Sequence, residues 1–147
     1  MLVEVIVAIS IISLSILAAT AVAQKSVSLS RQALHVSQAS YLLEEGAEAV
    51  RILRDNGWSN ISALTAATDY YPAFSANTWI LSTTPSQVGI FTRKVNVANV
   101  NRNNTDDIAG TGTPDSGTRL FTVTVSWNEG GTATSKTLSF YLSDIFS

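Results

Sequence analysis

MLVEVIVAISIISLSILAATAVA, running from Met1 to Ala23, is the stretch whose reading decides the fold. It holds no Gly, no Pro and no basic side chain, and its one charged side chain is Glu4. As a helix at ~1.5 Å per residue it is about 34 Å long, enough to cross a hydrocarbon layer of roughly 30 Å. At Gln24 and Lys25 the composition turns polar without losing helical character. A secretory signal peptide would begin with basic residues, carry a shorter apolar run and end at a small-residue cleavage site. Ala21-Val22-Ala23 could pass for that site, but an acid stands where the basic start belongs. A core helix of a soluble protein fits poorly, because the remaining chain is too small to wrap so long an apolar rod.

A plain membrane anchor accommodates the length but leaves Glu4 unexplained. An ionised acid within a span costs about 2.5–3.5 kcal/mol near the bilayer centre, less towards an interface. If such rods leave the membrane and pack side by side, an unpaired carboxylate becomes a buried charge, which is strongly unfavourable. The nearest cation is an N-terminal ammonium, because positions 1–24 contain no Lys or Arg. A neighbouring copy shifted along the axis could present its own amine to Glu4. Two charges about 4 Å apart attract by about 4 kcal/mol at an effective dielectric of 20. Such a pair would set axial register, as polar groups in apolar seams do elsewhere. The bland alternative is a solvated end charge at the headgroup level.

The residues Leu2-Val3-Glu4-Val5-Ile6-Val7-Ala8-Ile9, an acid inside an aliphatic run that opens a long helix, resemble the N-terminus of the type IV pilin family, pseudopilins included. The motif covers about the first 25 residues; a long helix followed by strands extends the likeness less specifically over the rest. The resemblance implies a processed chain. In that family a prepilin peptidase removes a short leader ahead of the apolar run and methylates the new N-terminus. Three residues precede Glu4 here, where the family usually has four, so Met1 as the mature first residue stays open. Met1 and Glu4 are the residues the resemblance assigns to subunit assembly.

From Gln24 to Asn56 the helical pattern meets no breaker before Gly46. Ala39, Leu43, Gly46, Val50 and Leu53 recur at spacings that draw one stripe down a helix. Glu44, Glu48, Arg51 and Asp55 lie on another side, at helical pair distances for Glu48–Arg51 and Arg51–Asp55, and read as a solvated face. Gly46 inside the stripe costs about 1 kcal/mol of helix propensity, which close approach of a sheet would explain. The helix is expected to end at Asn56-Gly57.

Trp58 to Ser75 reads as a loop anchored by Trp58, Tyr70, Tyr71 and Phe74, with Pro72 keeping the tyrosine pair out of a central strand. Thr78–Ser82 and Gly89–Val100 read as strands; in the second, Phe91, Val95 and Val97 share a face and Arg93 interrupts it, which suggests an edge or a partly exposed end. Residues 101–118 are polar and Gly-bearing, a loop. Thr118–Trp127 alternates, with Phe121, Val123, Val125 and Trp127 inward; Asn128 to Gly131 is a four-residue hairpin turn; Thr132–Ser143 is the last strand, with Leu138, Phe140 and Leu142 inward.

A net charge of −2 and 14% charged residues argue against a nucleic-acid surface. The absence of cysteine removes disulfides, with which many pilins close a C-terminal loop, and thiolate metal sites. A lone His35 makes neither a zinc site nor, without an acid near it in sequence, a catalytic base; it reads as a surface or interface side chain. Gly110-Thr111-Gly112 lacks the strand-to-helix context of a phosphate loop. The chain therefore reads as a non-enzyme without a cofactor. One loop crowds Asn101, Asn103, Asn104, Asp106, Asp107 and Asp115, oxygen ligands of the kind calcium prefers. Some pseudopilins bind calcium in such a loop, which makes Asp106, Asp107 and Asp115 candidates, though turn chemistry explains the same residues. Asn60 and Asn103 begin glycosylation sequons.

The expected fold is α+β: a helix over about 1–56 whose second half packs on three to four antiparallel strands. Residues 1–25 form an apolar stem and 26–147 a pilin-like globular head. The function implied is a structural subunit that polymerises with copies of itself and related pilins into a type IV pilus-like surface filament, with the adhesion and motility such fibres serve. Before assembly it would reside in the cytoplasmic membrane, as a substrate of the prepilin peptidase and the assembly machinery. The alternatives are a pseudopilin or minor pilin of a secretion or DNA-uptake apparatus, and a membrane-anchored adhesin head that never polymerises.

Overall fold

The computed structural model describes residues 1–145. Helix α1 spans Leu2–Asp55 without interruption. It closes at Asn56-Gly57, where the Asn56 amide donates to the Ile52 carbonyl (3.0 Å) and the Gly57 amide to that of Arg54 (2.9 Å). A single turn, α2 (Ser59–Ser62), follows. Seven strands come next: β1 (Asp69–Ser75), β2 (Thr78–Ser82), β3 (Gln87–Val88), β4 (Phe91–Arg102), β5 (Ile108–Ala109), β6 (Thr113–Glu129) and β7 (Thr132–Ser143). They form one antiparallel sheet in the order β2-β1-β4-β6-β7, with β3 and β5 paired to β4. The α+β arrangement is the expected one. The strands outnumber the expected three to four because three short or polar stretches join the sheet.

By contacts the chain divides into two compact units, Met1–Ser37 and Gln38 onward. In the first, α1 is helix alone. In the second, the remainder of α1 lies on one face of the sheet and buries Ala39, Leu43, Gly46, Ala47, Ala49 and Val50. These are small or β-branched side chains except Leu43, so helix and sheet approach closely. The sheet contributes Phe91, Val95 and Val97 from β4 and Phe121, Val123, Val125 and Trp127 from β6, each 5% exposed or less. Alternate residues of both strands turn outward, the period-two pattern of a sheet covered on one side. Of the expected helix stripe, Leu53 is only half-buried.

Arg93 overturns an expectation. It interrupts the apolar alternation, yet it is 4% exposed on the central strand rather than at an edge. The reason lies in β1, which pairs with β4 only at Asp69–Asn96 and Tyr70–Val95 and then continues beside β2 alone. The Arg93 side chain fills the space that opens. Its guanidinium meets the Glu45 carboxylate at 2.7 Å, donates to the carbonyls of Leu42 (3.4 Å) and Pro72 (3.5 Å), and lies 5.5 Å from the Trp79 ring centre.

Residues 69–75, read as loop, are a strand for a related reason. Pro72 turns its carbonyl to Arg93, so its ring nitrogen also lies on the side away from β2, where no ladder bond is required. The polar stretch 101–118 likewise contains β5 and the start of β6, so that loop is shorter than expected. The β4–β6 register shifts between Asn99 and Val100, and polar side chains rather than an apolar face hold this end. The β6–β7 turn has two residues, not four: Glu129 pairs with Thr132, and Gly130 and Gly131 carry φ of 57° and 89°. Two consecutive positive φ values suit the right-handed twist of a hairpin, and glycine adopts them without strain. Along β7, Leu142 is buried, Phe140 half-buried and Leu138 37% exposed, so the expected inward row is only partly covered. β7 is an edge strand, and among the described residues no further strand lies beyond it.

Candidate assembly surface on the N-terminal helix

Every Val, Leu and Ile from Leu2 to Leu34 is at least 51% exposed. The run contains no Gly or Pro, so nothing in the backbone breaks it, and three of its hydroxyls bond back to the helix. Ser10 and Ser15 donate to the carbonyls of Ile6 (2.7 Å) and Ile11 (2.8 Å), and Thr20 donates to that of Ile16. Such back-bonding lets Ser and Thr sit in an apolar helix without an orphan O–H. α1 is therefore long and apolar enough to cross a membrane, with its most apolar window wholly outside the protein core.

The two residues assigned to assembly meet at its tip. The Met1 amine lies 3.3 Å from a Glu4 carboxylate oxygen, one helical turn away on the same chain, and both side chains are almost fully exposed. In the lone chain this pair is open to solvent. Buried among other helices, the same carboxylate would need a cation of fixed position. His35 lies on α1, half-buried.

The Asn- and Asp-rich loop is organised around a cation of its own. Arg102 Nε lies 2.7 Å from Asp115 and 3.7 Å from Asp106, and its Nη1 donates to the Asp106 carbonyl at 2.7 Å. The Arg102 guanidinium, helped by Thr118 and the Gly117 amide, holds the Asp115 carboxyl below the ordinary carboxylate range; Asp115 in return raises that of Arg102. Asp107 accepts from the Thr105 hydroxyl at 2.8 Å, and Asn103 Oδ1 accepts from the amides of Thr105 and Asp107, both at 2.9 Å. Among the described residues no three His, Asp or Glu side chains come together as a metal-holding group. Arg102 thus pairs with two of the three candidate carboxylates, Asp115 and Asp106, while Asp107 accepts from Thr105; no sequence spacing announced that pairing.

Of the two sequons, Asn60 is exposed on α2, with its side-chain amide donating to the Leu53 carbonyl at 3.1 Å. It caps a free carbonyl at the end of α1, a use a glycan would disturb. Asn103 is exposed and holds the turn through its oxygen. A second ion pair, Lys94–Asp69 at 2.8 Å, fastens β4 to β1 on the outer face and, with Asn96, lowers the pKa of Asp69. No family model, no curated protein and no solved structure matches this chain.

Proposed function

We propose that this chain is the structural subunit of a type IV pilus-like surface filament, and that the exposed apolar half of α1 is the element that polymerises. One observation carries the reading: an uninterrupted helix exposes every large apolar side chain from Leu2 to Leu34 and bears one acid at its tip. Water does not tolerate such a surface, since each Å² of apolar area left exposed forgoes about 25 cal/mol. Lipid and the helices of sister subunits are the two environments that suit it. The apolar half of α1 holds the subunit in the cytoplasmic membrane; assembly machinery then draws it out, and lipid contacts are exchanged for helix contacts with little change in apolar burial. Glu4 distinguishes the two states. It stays solvated at the membrane surface and is buried in the packed rods, where the amine of an axially shifted neighbour replaces its own as counter-charge. The role is structural, not catalytic.

The test is Glu4→Ala, with Glu4→Gln as its isosteric companion. Both variants are expected to remain in the membrane at normal abundance while fibres sheared from the cell surface vanish from electron micrographs. Normal surface display with unchanged appendages would sink the proposal and favour a membrane-anchored domain that never polymerises. Mass measurement of the N-terminal peptide decides which residue is first and whether it is methylated.

A further inference from the structure

At the β7 edge the core of the second unit is open on one side. Lys136 and Phe140 face α1, the first donating to the Ser40 hydroxyl at 3.2 Å and the second lying 5.4 Å under the Arg51 guanidinium. Leu138 sits between them and remains 37% exposed. Between helix and strand runs a groove of about 520 Å³ lined by Tyr41, Glu44, Glu45, Ala47, Glu48, Arg51 and Leu138. Its lining mixes apolar side chains with three carboxylates and one guanidinium. Glu45 is taken by Arg93 at 2.7 Å and Glu48 by Arg51 at 3.3 Å, whereas Glu44 has no ion partner among the described residues. Tyr41, 69% exposed, stands beside it. An occupant must therefore bring apolar side chains on either side of one cation.

α1 itself carries that pattern. Val27, Arg31 and Leu34 stand at i, i+4 and i+7, hence on one helix face. Val27 and Leu34 are 53% and 56% exposed. Arg31 lies in a stretch, from Gln24 to Leu43, that contains no acid at all. We infer that the groove receives residues 27–34 of a second copy of this chain, with Val27 and Leu34 against Leu138 and Tyr41 and the Arg31 guanidinium against Glu44. This rests on the filament reading and adds to it the address of one subunit contact. Copies facing each other in register would set Arg31 against Arg31 and Glu44 against Glu44, a like-charge arrangement that disfavours that alignment.

The chain has no cysteine, so introduced thiols report without background. Fibres of the Arg31→Cys/Glu44→Cys double variant, treated with a bifunctional maleimide, should give a ladder of covalent multimers on a denaturing gel, and each single variant only monomers. Intact fibres without a ladder overturn the inference. So do dimers from the single variants, which signify in-register packing, or cross-links from position 44 to a different protein alone. Charge exchange covers the case in which the double variant assembles poorly. Arg31→Glu should lower fibre yield at least about tenfold, and Glu44→Lys in the same chain should restore it; no restoration overturns the inference. A wild-type chain that makes no fibres is a different result, and it overturns the filament reading itself.

Discussion

A methyl group at Gly46 has no room. A Cβ built there lies 2.8 Å from Cγ1 of Val123 and 3.2 Å from Cδ of Arg93. Val123 is fully buried on β6, so it cannot swing aside as a long surface side chain would. Gly46→Ala gains about 1 kcal/mol of helix propensity and loses about 1–3 kcal/mol to overpacking. The expected net effect is a loss of about 1 kcal/mol, read as a lower denaturant midpoint of tryptophan fluorescence in detergent. An unchanged or raised midpoint would show that helix and sheet have slack between them. Arg93, on the other side of the same contact, shows the limit of reading residues singly. Its charge suggested exposure, but only the gap left by β1, with Glu45 across it, accounts for its burial.

At the scale of elements, the polar end of the β4–β6 pair behaves as a clasp whose strength depends on pH. Asp115 carries a folded-state pKa below its ordinary 3.8, chiefly because Arg102 bonds to its carboxylate. A depressed folded pKa means that the unfolded chain binds the proton more readily. The contribution is therefore fully present above the unfolded value and is lost as pH falls through the folded one. Asp69, lowered chiefly by Lys94, adds to the same acid limb. Stability should stay flat from neutral pH down to about pH 5 and decline below about pH 4. Asp115→Asn should be less stable at neutral pH and show a shallower acid decline, measured as midpoint against pH. An unaltered slope would show that the Arg102 pair does not contribute.

The whole molecule joins two units that differ in how much apolar surface they leave exposed. Every exposed Val, Leu and Ile up to Leu34 belongs to the first, whereas the second buries its own core from Ala39 onward. A chain beginning at residue 35 should therefore be folded, monomeric and soluble without detergent. Light scattering after size exclusion and far-ultraviolet circular dichroism check this. Aggregation or loss of strand signal would show that the second unit depends on the residues removed. The intact chain should need detergent or lipid, and should associate when detergent is diluted.

The sequence by itself determined what local composition can specify. The length and apolarity of α1, the lone acid at Glu4, the end at Asn56-Gly57 and the alternation of Phe121 to Trp127 are each written within a few residues of chain. The inward face of α1 followed for the same reason, because the helical period keeps Ala39, Leu43, Gly46 and Val50 together. The tertiary structure alone decided which polar segments become strands. Residues 69–75 and 113–117 enter the sheet through partners outside their own stretch: the neighbouring hairpin strand β2 and the more distant Arg93 for the first, Arg102 for the second. It also decided that Arg93 is central and that Arg102 pairs with Asp115 and Asp106 of the acidic loop. Hydrophobic periodicity is a property of neighbours along the chain, whereas a buried charge or a polar strand is settled by what lies opposite it in space.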